Sequence, residues 1–259
     1  MSMPIDPTAE EALAIMSKSR VDTDNASTDE IREAMKAALA AVAADPVDVA
    51  IVQDRTIPTP AGDLPVRIYW PAGTSDAPLP VFLYLHSGGY VIYDINTADP
   101  QCRLIANEAG CIVVSLGYRL APEAKFPAPV DDCCAAHQWI AENAPSFQGD
   151  PKRIAIGGES CGGTISSVAA IIARDAGGPT ISLIVMICPL TELIDPSGDD
   201  PMSRMARRFK AYYLNEEAEG RDFRASPQYA DDVSNLPPHL IVTGDSTRYW
   251  PRVRPMLKS

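Results

Sequence analysis

Along the chain the spacing of apolar residues changes period twice. Between about Pro7 and Ala44 the sequence is polar and Ala-rich, and "STDEIREAMKAALAAVAA" (27–44) has helical spacing, with Ser27 and Glu30 in the form of a capping box. One or two helices are predicted there. "VAIVQDRTIPT" and "LPVRIYW" then alternate as strands around "PAGD", whose Gly62-Asp63 pair suggests a hairpin.

After Pro80 the apolar runs become continuous: "VFLYLH" (81–86), "CIVVSLGY" (111–118), "RIAIGG" (153–158), "SLIVMICPL" (182–190) and "HLIVTG" (239–244). Continuous runs suit strands buried on both faces, and helical segments separate them, so a mostly parallel sheet with helices on both faces is predicted. The crossovers carry helix punctuation. "TADPQCRLIANEAG" ends in Gly110, "PAPVDDCCAAHQWIAENA" starts after prolines, and "CGGTISSVAAIIARDAGG" ends in a glycine pair. The segment from Thr191 to Pro238 breaks the rhythm, with helical patches such as "SRMARRFKAYYL". An insertion after a strand's carboxyl end is read as a lid over a site.

No repeat or low-complexity tract appears, and the 24 prolines are dispersed. A chain of 259 residues with 46% hydrophobic content buries one sizeable core. The predicted division is N-terminal cap helices over 1–45, an α/β core over 46–190, a cap insertion over 191–237, and a core strand with an aberrant tail over 238–259. Thirty-four acidic against 22 basic side chains leave a net charge of -12, the wrong sign for a nucleic-acid partner. The amino terminus has no basic segment followed by an apolar run, and "ISLIVMICPL" is too short to span a bilayer, so a soluble, cytoplasmic protein is expected. The six cysteines lack paired metal-site spacing and are read as reduced thiols, with Cys111 and Cys188 acting as small hydrophobes in strand-like runs.

The chemistry-bearing motif is Gly158-Glu159-Ser160-Cys161-Gly162, a G-x-S-x-G directly after an apolar strand and before a helix. Glycines let the chain reverse there in little space, and Ser160 is thrust toward solvent at the sheet's carboxyl edge. The first helical amides face the same point, so the Cys161 N–H is a candidate oxyanion donor. The Cys161 thiol, one position past the apex, is expected to turn into helix packing. Near this turn, "LHSGGY" (85–90) carries two glycines where backbone amides could approach a substrate.

These landmarks together resemble the hormone-sensitive-lipase-like esterases, the bacterial family IV carboxylesterases of the α/β-hydrolase fold. The family's H-G-G-G loop is matched by His86-Ser87-Gly88-Gly89, its Y-R-L-A-P-E by Tyr118 to Glu123 followed by Phe126-Pro127-Ala128, and its G-D-S-A-G-G by Gly158 to Gly163 with Glu159 and Cys161 substituted. "SPQYADDVSNLPPHLIVTG" resembles the family's segment before the next strand. The resemblance implies Ser160 as nucleophile and Gly88, Gly89 and Cys161 as oxyanion-hole amides, with no metal or organic cofactor. Ser87 departs from the first glycine of the loop, which requires ordinary dihedrals at that residue.

A serine needs a base, and the three histidines do not supply one. The family uses the histidine of its loop structurally, at His86. His137 falls mid-helix, and His239 begins a strand whose other end, roughly 17–20 Å away, is the catalytic edge. In the relatives that strand leads to D-P-L, whose aspartate is the triad acid, with the histidine roughly thirty residues later. Here Thr247 occupies the acid's position and Asp245 sits two residues early. The tail "TRYWPRVRPMLKS" abandons the pattern, and the last strand and helix are expected to be missing. Shifting its codons by one base permits Asp-Pro-Leu-Leu-Ala and then Gly and Tyr-Ala-Glu at the family's spacing. A frameshift from about Ser246 onward is therefore expected.

The sequence thus predicts a serine esterase acting on a small or medium acyl group through an acyl-serine, with activity reduced or lost for want of a base. The alternative is a noncatalytic ligand-binding homologue; an amidase of the same fold is a third reading. Tyr90, Tyr93, Phe209, Tyr212 and Tyr213 are candidates for shaping the acyl pocket, although aromatics at helical spacing more often pack. Oligomeric state is open, a homodimer being compatible with everything read so far.

Overall fold

The computed structural model describes residues 6–18, 22, 25–73, 76–193 and 198–244. Helices α1 (Pro7–Lys18) and α2 (Thr28–Ala40) come first, and the Ser27–Glu30 capping box forms in both directions at the start of α2. Strands β1 (Ile51–Ile57) and β2 (Leu64–Trp70) make the antiparallel hairpin, turning where Thr59 and Gly62 exchange backbone hydrogen bonds. Then follow β3 (Leu79–Leu85), α3 (Asp99–Ala109), β4 (Ile112–Leu116), α4 (Ala128–Asn143), β5 (Gly149–Glu159), α5 (Cys161–Asp175) and β6 (Leu183–Ile187). Helix α6 (Pro201–Tyr213) lies in the predicted insertion, and β7 (His239–Val242) closes the described sheet.

Among the described residues the sheet has seven strands in the order β1-β2-β4-β3-β5-β6-β7, parallel from β4 through β7. Alternate residues of β3 serve opposite faces. Val81, Leu83 and Leu85 join the larger core with α4 and α5, while Phe82 and Tyr84 join a second one against Cys102 and Ala106 of α3. Burial on both faces is the physical reason these strands read as unbroken apolar runs.

Register brings the strand ends together. Leu85 pairs with Gly158, Glu159 with Ile187, and Ile187 with Val242. One sheet edge therefore carries the loops after β3, β5, β6 and β7, which is where ligands bind in open α/β sheets.

Two local readings need correction. Cys188 lies just past β6 with a φ of 45°, its amide donating to Val242 O at 2.7 Å, so it ends the strand rather than packing within it. His239 pairs with Ile184, three residues before the edge. β7 is shorter than its apolar run implies, and the histidine lies on the order of 10 Å back along the strand rather than 17–20 Å. The tail readings at Asp245, Ser246 and Thr247 lie outside the described residues. No helix among the described residues is long and apolar enough to cross a membrane.

Candidate active site

Ser160 sits between β5 and α5 with φ 53° and ψ -117°, a left-sided conformation that a non-glycine residue holds only where its surroundings dictate it. The turn is held on both sides. The Ser160 amide donates to Ile187 O at 2.8 Å, and its carbonyl accepts from Thr164 N at 3.2 Å and from Thr164 Oγ1 at 3.3 Å. The flanking glycines are required by close approach. A Cβ at Gly158 would stand 2.1 Å from Leu85 O, and one at Gly162 would stand 2.2 Å from the same oxygen. The end of β3 is thus wedged against both arms of the turn, and the serine between them stays half-buried.

The β3 loop arrives beside it with three successive residues at positive φ: Gly88 at 117°, Gly89 at 57° and Tyr90 at 68°. Ser87, where a glycine was expected, is absent from the positive-φ residues, so the substitution meets its condition. Tyr90 is a costly residue to place at positive φ, and packing holds it there. Its ring stacks on Tyr213 at 3.8 Å and its carbonyl accepts from Ala121 N at 2.8 Å. Within the loop, Val91 N and Ile92 N both donate to Gly88 O at 3.0 Å.

Ser160, Gly88 and Gly89 line one cavity of about 290 Å³. Its roof comes from three helices: Met16 of α1, Met35 of α2, and Met202, Met205, Ala206, Phe209 and Lys210 of α6. Tyr90 and Tyr93 also line it, whereas Tyr212 and Tyr213 do not: Tyr213 packs behind Tyr90, and Tyr212 lies under the Arg208 guanidinium at 5.2 Å. The four methionines were not singled out from sequence, because each reads as an ordinary apolar position of an amphipathic helix. A larger open cleft of about 540 Å³ lies outside Tyr93, but its charges are already paired, Lys36 with Asp94, Arg32 with Glu123 and Arg119 with Asp132.

Cys161 does turn inward. Its side chain is fully buried, with Sγ 3.7 Å from Tyr118 Oη and 4.0 Å from His86 O. Burial raises its thiol pKa, against the smaller opposing influence of the Tyr118 hydroxyl and of the nearby Tyr90 and Gly89 amides. Thiolate chemistry at this position is therefore suppressed. As the first residue of α5, its own amide has no partner one turn back in the helix.

The histidines remain outside the cavity lining. His86 stacks on Tyr118 at 4.2 Å and its Nδ1 bonds Ser87 O at 2.7 Å, while burial drives its pKa down to about 4. His137 is buried in α4 with Nε2 unpartnered among the described residues and is likewise lowered to about 4 by burial. His239 Nδ1 lies 2.7 Å from Pro237 O, and burial lowers its pKa too. Two charged side chains border the cavity. Burial raises the pKa of Glu159, and Lys210 is ion-paired to Glu217 at 2.5 Å.

A family model described as the alpha/beta hydrolase fold matches residues 82–254, two thirds of the chain. This chain belongs to the α/β hydrolases, in their hormone-sensitive-lipase-like branch. The α/β hydrolase is 49% identical over 129 residues to the carboxylesterase NlhH of Mycobacterium tuberculosis, a stretch covering 50% of this chain and 40% of that protein. It is 32% identical to an arylesterase of Saccharolobus solfataricus, over 94% of this chain and 81% of the relative. Among solved structures, the hyperthermophilic esterase of Pyrobaculum calidifontis superposes with a TM-score of 0.83 at 32% identity, covering 92% of this chain and 79% of the other. The matched stretch thus spans less than half the length of NlhH.

Proposed function

We propose that this α/β hydrolase cleaves carboxylic esters of small or medium acyl groups through an acyl-serine on Ser160. The observation that carries the proposal is the shared cavity, in which a serine strained into a strand-to-helix turn meets the glycine loop after β3. In the proposed reaction Ser160 Oγ attacks the ester carbonyl, and the proton it gives up ends on the departing alcohol. The amides of Gly88, Gly89 and Cys161 stabilise the oxyanion, the alcohol leaves, and water then releases the acid. Residues 1–45 and 191–237 are proposed as the cap, 46–190 as the core. A cavity of about 290 Å³ suits a small or medium acyl chain. Carboxylesterase and arylesterase relatives support the reaction class.

Among the described residues the cavity lining holds no histidine. That favours a second reading, a pocket that binds an ester-like ligand and turns it over slowly, since losing one triad member costs several orders of magnitude in rate. One experiment separates the two. A fluorophosphonate should form an adduct on Ser160 that Ser160→Ala abolishes, and p-nitrophenyl esters from acetate to decanoate should be hydrolysed with a short-to-medium optimum. A companion protein with the reading frame shifted after about Ser246 should hydrolyse them much faster if the tail departs from the family by a frameshift. Absence of any Ser160 adduct, with ligand still bound, would leave only the binding reading.

A further inference from the structure

One side chain ties helix α2 to the glycine loop. From α2, Arg32 donates Nε–H to Val91 O at 2.9 Å and Nη2–H to Ala121 O at 3.0 Å. Glu123 fixes the same guanidinium from the far side, accepting from Nη1 at 2.8 Å and from Nη2 at 2.7 Å. Asp29, one turn earlier on α2, lies 3.5 Å from Nη1. A planar fork with five N–H donors can serve two carbonyls and a carboxylate at once, and an ammonium of similar reach cannot.

The two carbonyls are strategically placed. Val91 closes the turn in which its own amide and that of Ile92 both bond Gly88 O. The Gly88 carbonyl and the Gly89 N–H belong to one planar trans peptide unit, so they point in opposite directions. Whatever anchors that carbonyl on the Val91 side aims the Gly89 N–H the other way. Ala121 holds the neighbouring residue, its amide donating to Tyr90 O at 2.8 Å.

We propose that Arg32 is a positioning residue, which fixes the direction of the Gly89 amide by clamping the Val91 and Ala121 carbonyls from the cap. The effect on turnover rests on Gly89 acting as an oxyanion donor; the effect on loop order does not. The same contact joins the loop to the cavity roof, because Met35 of the clamped helix α2 also lines the cavity.

The test compares wild type with Arg32→Met, Arg32→Lys and the milder Glu123→Gln by amide hydrogen exchange and by p-nitrophenyl butyrate kinetics. In Arg32→Met the Val91 and Ile92 amides should exchange at least about tenfold faster while β3 and β5 amides keep their protection. kcat should fall about ten- to a hundredfold with KM within about twofold, as expected for misplacement of a transition-state donor. Arg32→Lys should resemble Arg32→Met, and Glu123→Gln should shift exchange in the same direction by less. Unchanged exchange at Val91 and Ile92 with the sheet still protected overturns the proposal, as does full recovery by lysine or a change confined to KM. Should Arg32→Met not fold, Glu123→Gln decides by the same exchange readout. If wild type shows neither turnover nor a Ser160 adduct, the esterase reading fails, and the exchange data still decide the role of Arg32.

Discussion

At Gly158 and Gly162 the need for glycine is steric rather than conformational, since neither has positive φ and both face the carbonyl of Leu85. Gly162→Ala would drive a methyl against Leu85 O, the Leu85 carbonyl carbon and His86 O, all backbone atoms that cannot rotate away. The expected cost is about 1–3 kcal/mol, a fall in melting temperature of roughly 3–10 °C in a chain this size. Gly178→Ala is the control, because its Cβ would sit 3.4 Å from Ala173 O at an ordinary contact distance. Equal melting of the two variants in a thermal scan would refute the wedge at Leu85. The elbow itself was legible because G-x-S-x-G between a buried strand and a helix leaves few alternatives. Arg32 was not. Its spacing from Asp29 reads as a solvated i, i+3 pair, and partners 59 and 91 residues away leave no local pattern.

At the scale of elements, the change from helical spacing to continuous runs reveals the sheet because β3 to β6 are covered on both sides. The strand limits are less visible, since an apolar run continues past the last hydrogen-bonded residue, as at Cys188. The insertion shows its helix but not its purpose. Helix α6 is capped by Asp200, whose carboxylate accepts from the Met202 and Ser203 amides at 3.1 Å. It lays Phe209 on the bare Cα of Gly89, where an added Cβ would come within 2.8 Å of the ring. Phe209 therefore sets the depth of the cavity above the glycine loop. Phe209→Ala should lengthen the preferred acyl chain, raising the ratio of kcat/KM for decanoate over acetate p-nitrophenyl esters by about tenfold, the discrimination that a few contacts in an apolar pocket provide. An unchanged ratio in the purified, folded variant would place the acyl group elsewhere.

For the whole molecule, the same burial that removes His86 and His137 from acid–base work makes them determinants of acid stability. Both have pKa values lowered to about 4 by burial, against roughly 6.5 for an unfolded chain. Between those values the unfolded state takes up protons that the folded state refuses, so stability is full above about pH 6.5 and declines as pH falls toward 4. Each histidine should cost on the order of 2 kcal/mol between pH 7 and pH 5. Glu159 acts with the opposite sign, because burial raises its pKa and protonation relieves that penalty. The carboxylates held low by partners, such as Asp54 with Arg67 and Glu123 with Arg32, lose their contribution only at lower pH, as protonation nears their folded values. Urea midpoints should therefore begin to fall near pH 6.5, well before carboxylates titrate. His137→Leu, which also removes the unpartnered Nε2, should flatten part of the loss from pH 7 to pH 5, the remainder resting on His86 and on His239, whose pKa burial also lowers. A variant whose midpoint tracks wild type over that interval would show that His137 takes up its proton in the folded protein as readily as in the unfolded one.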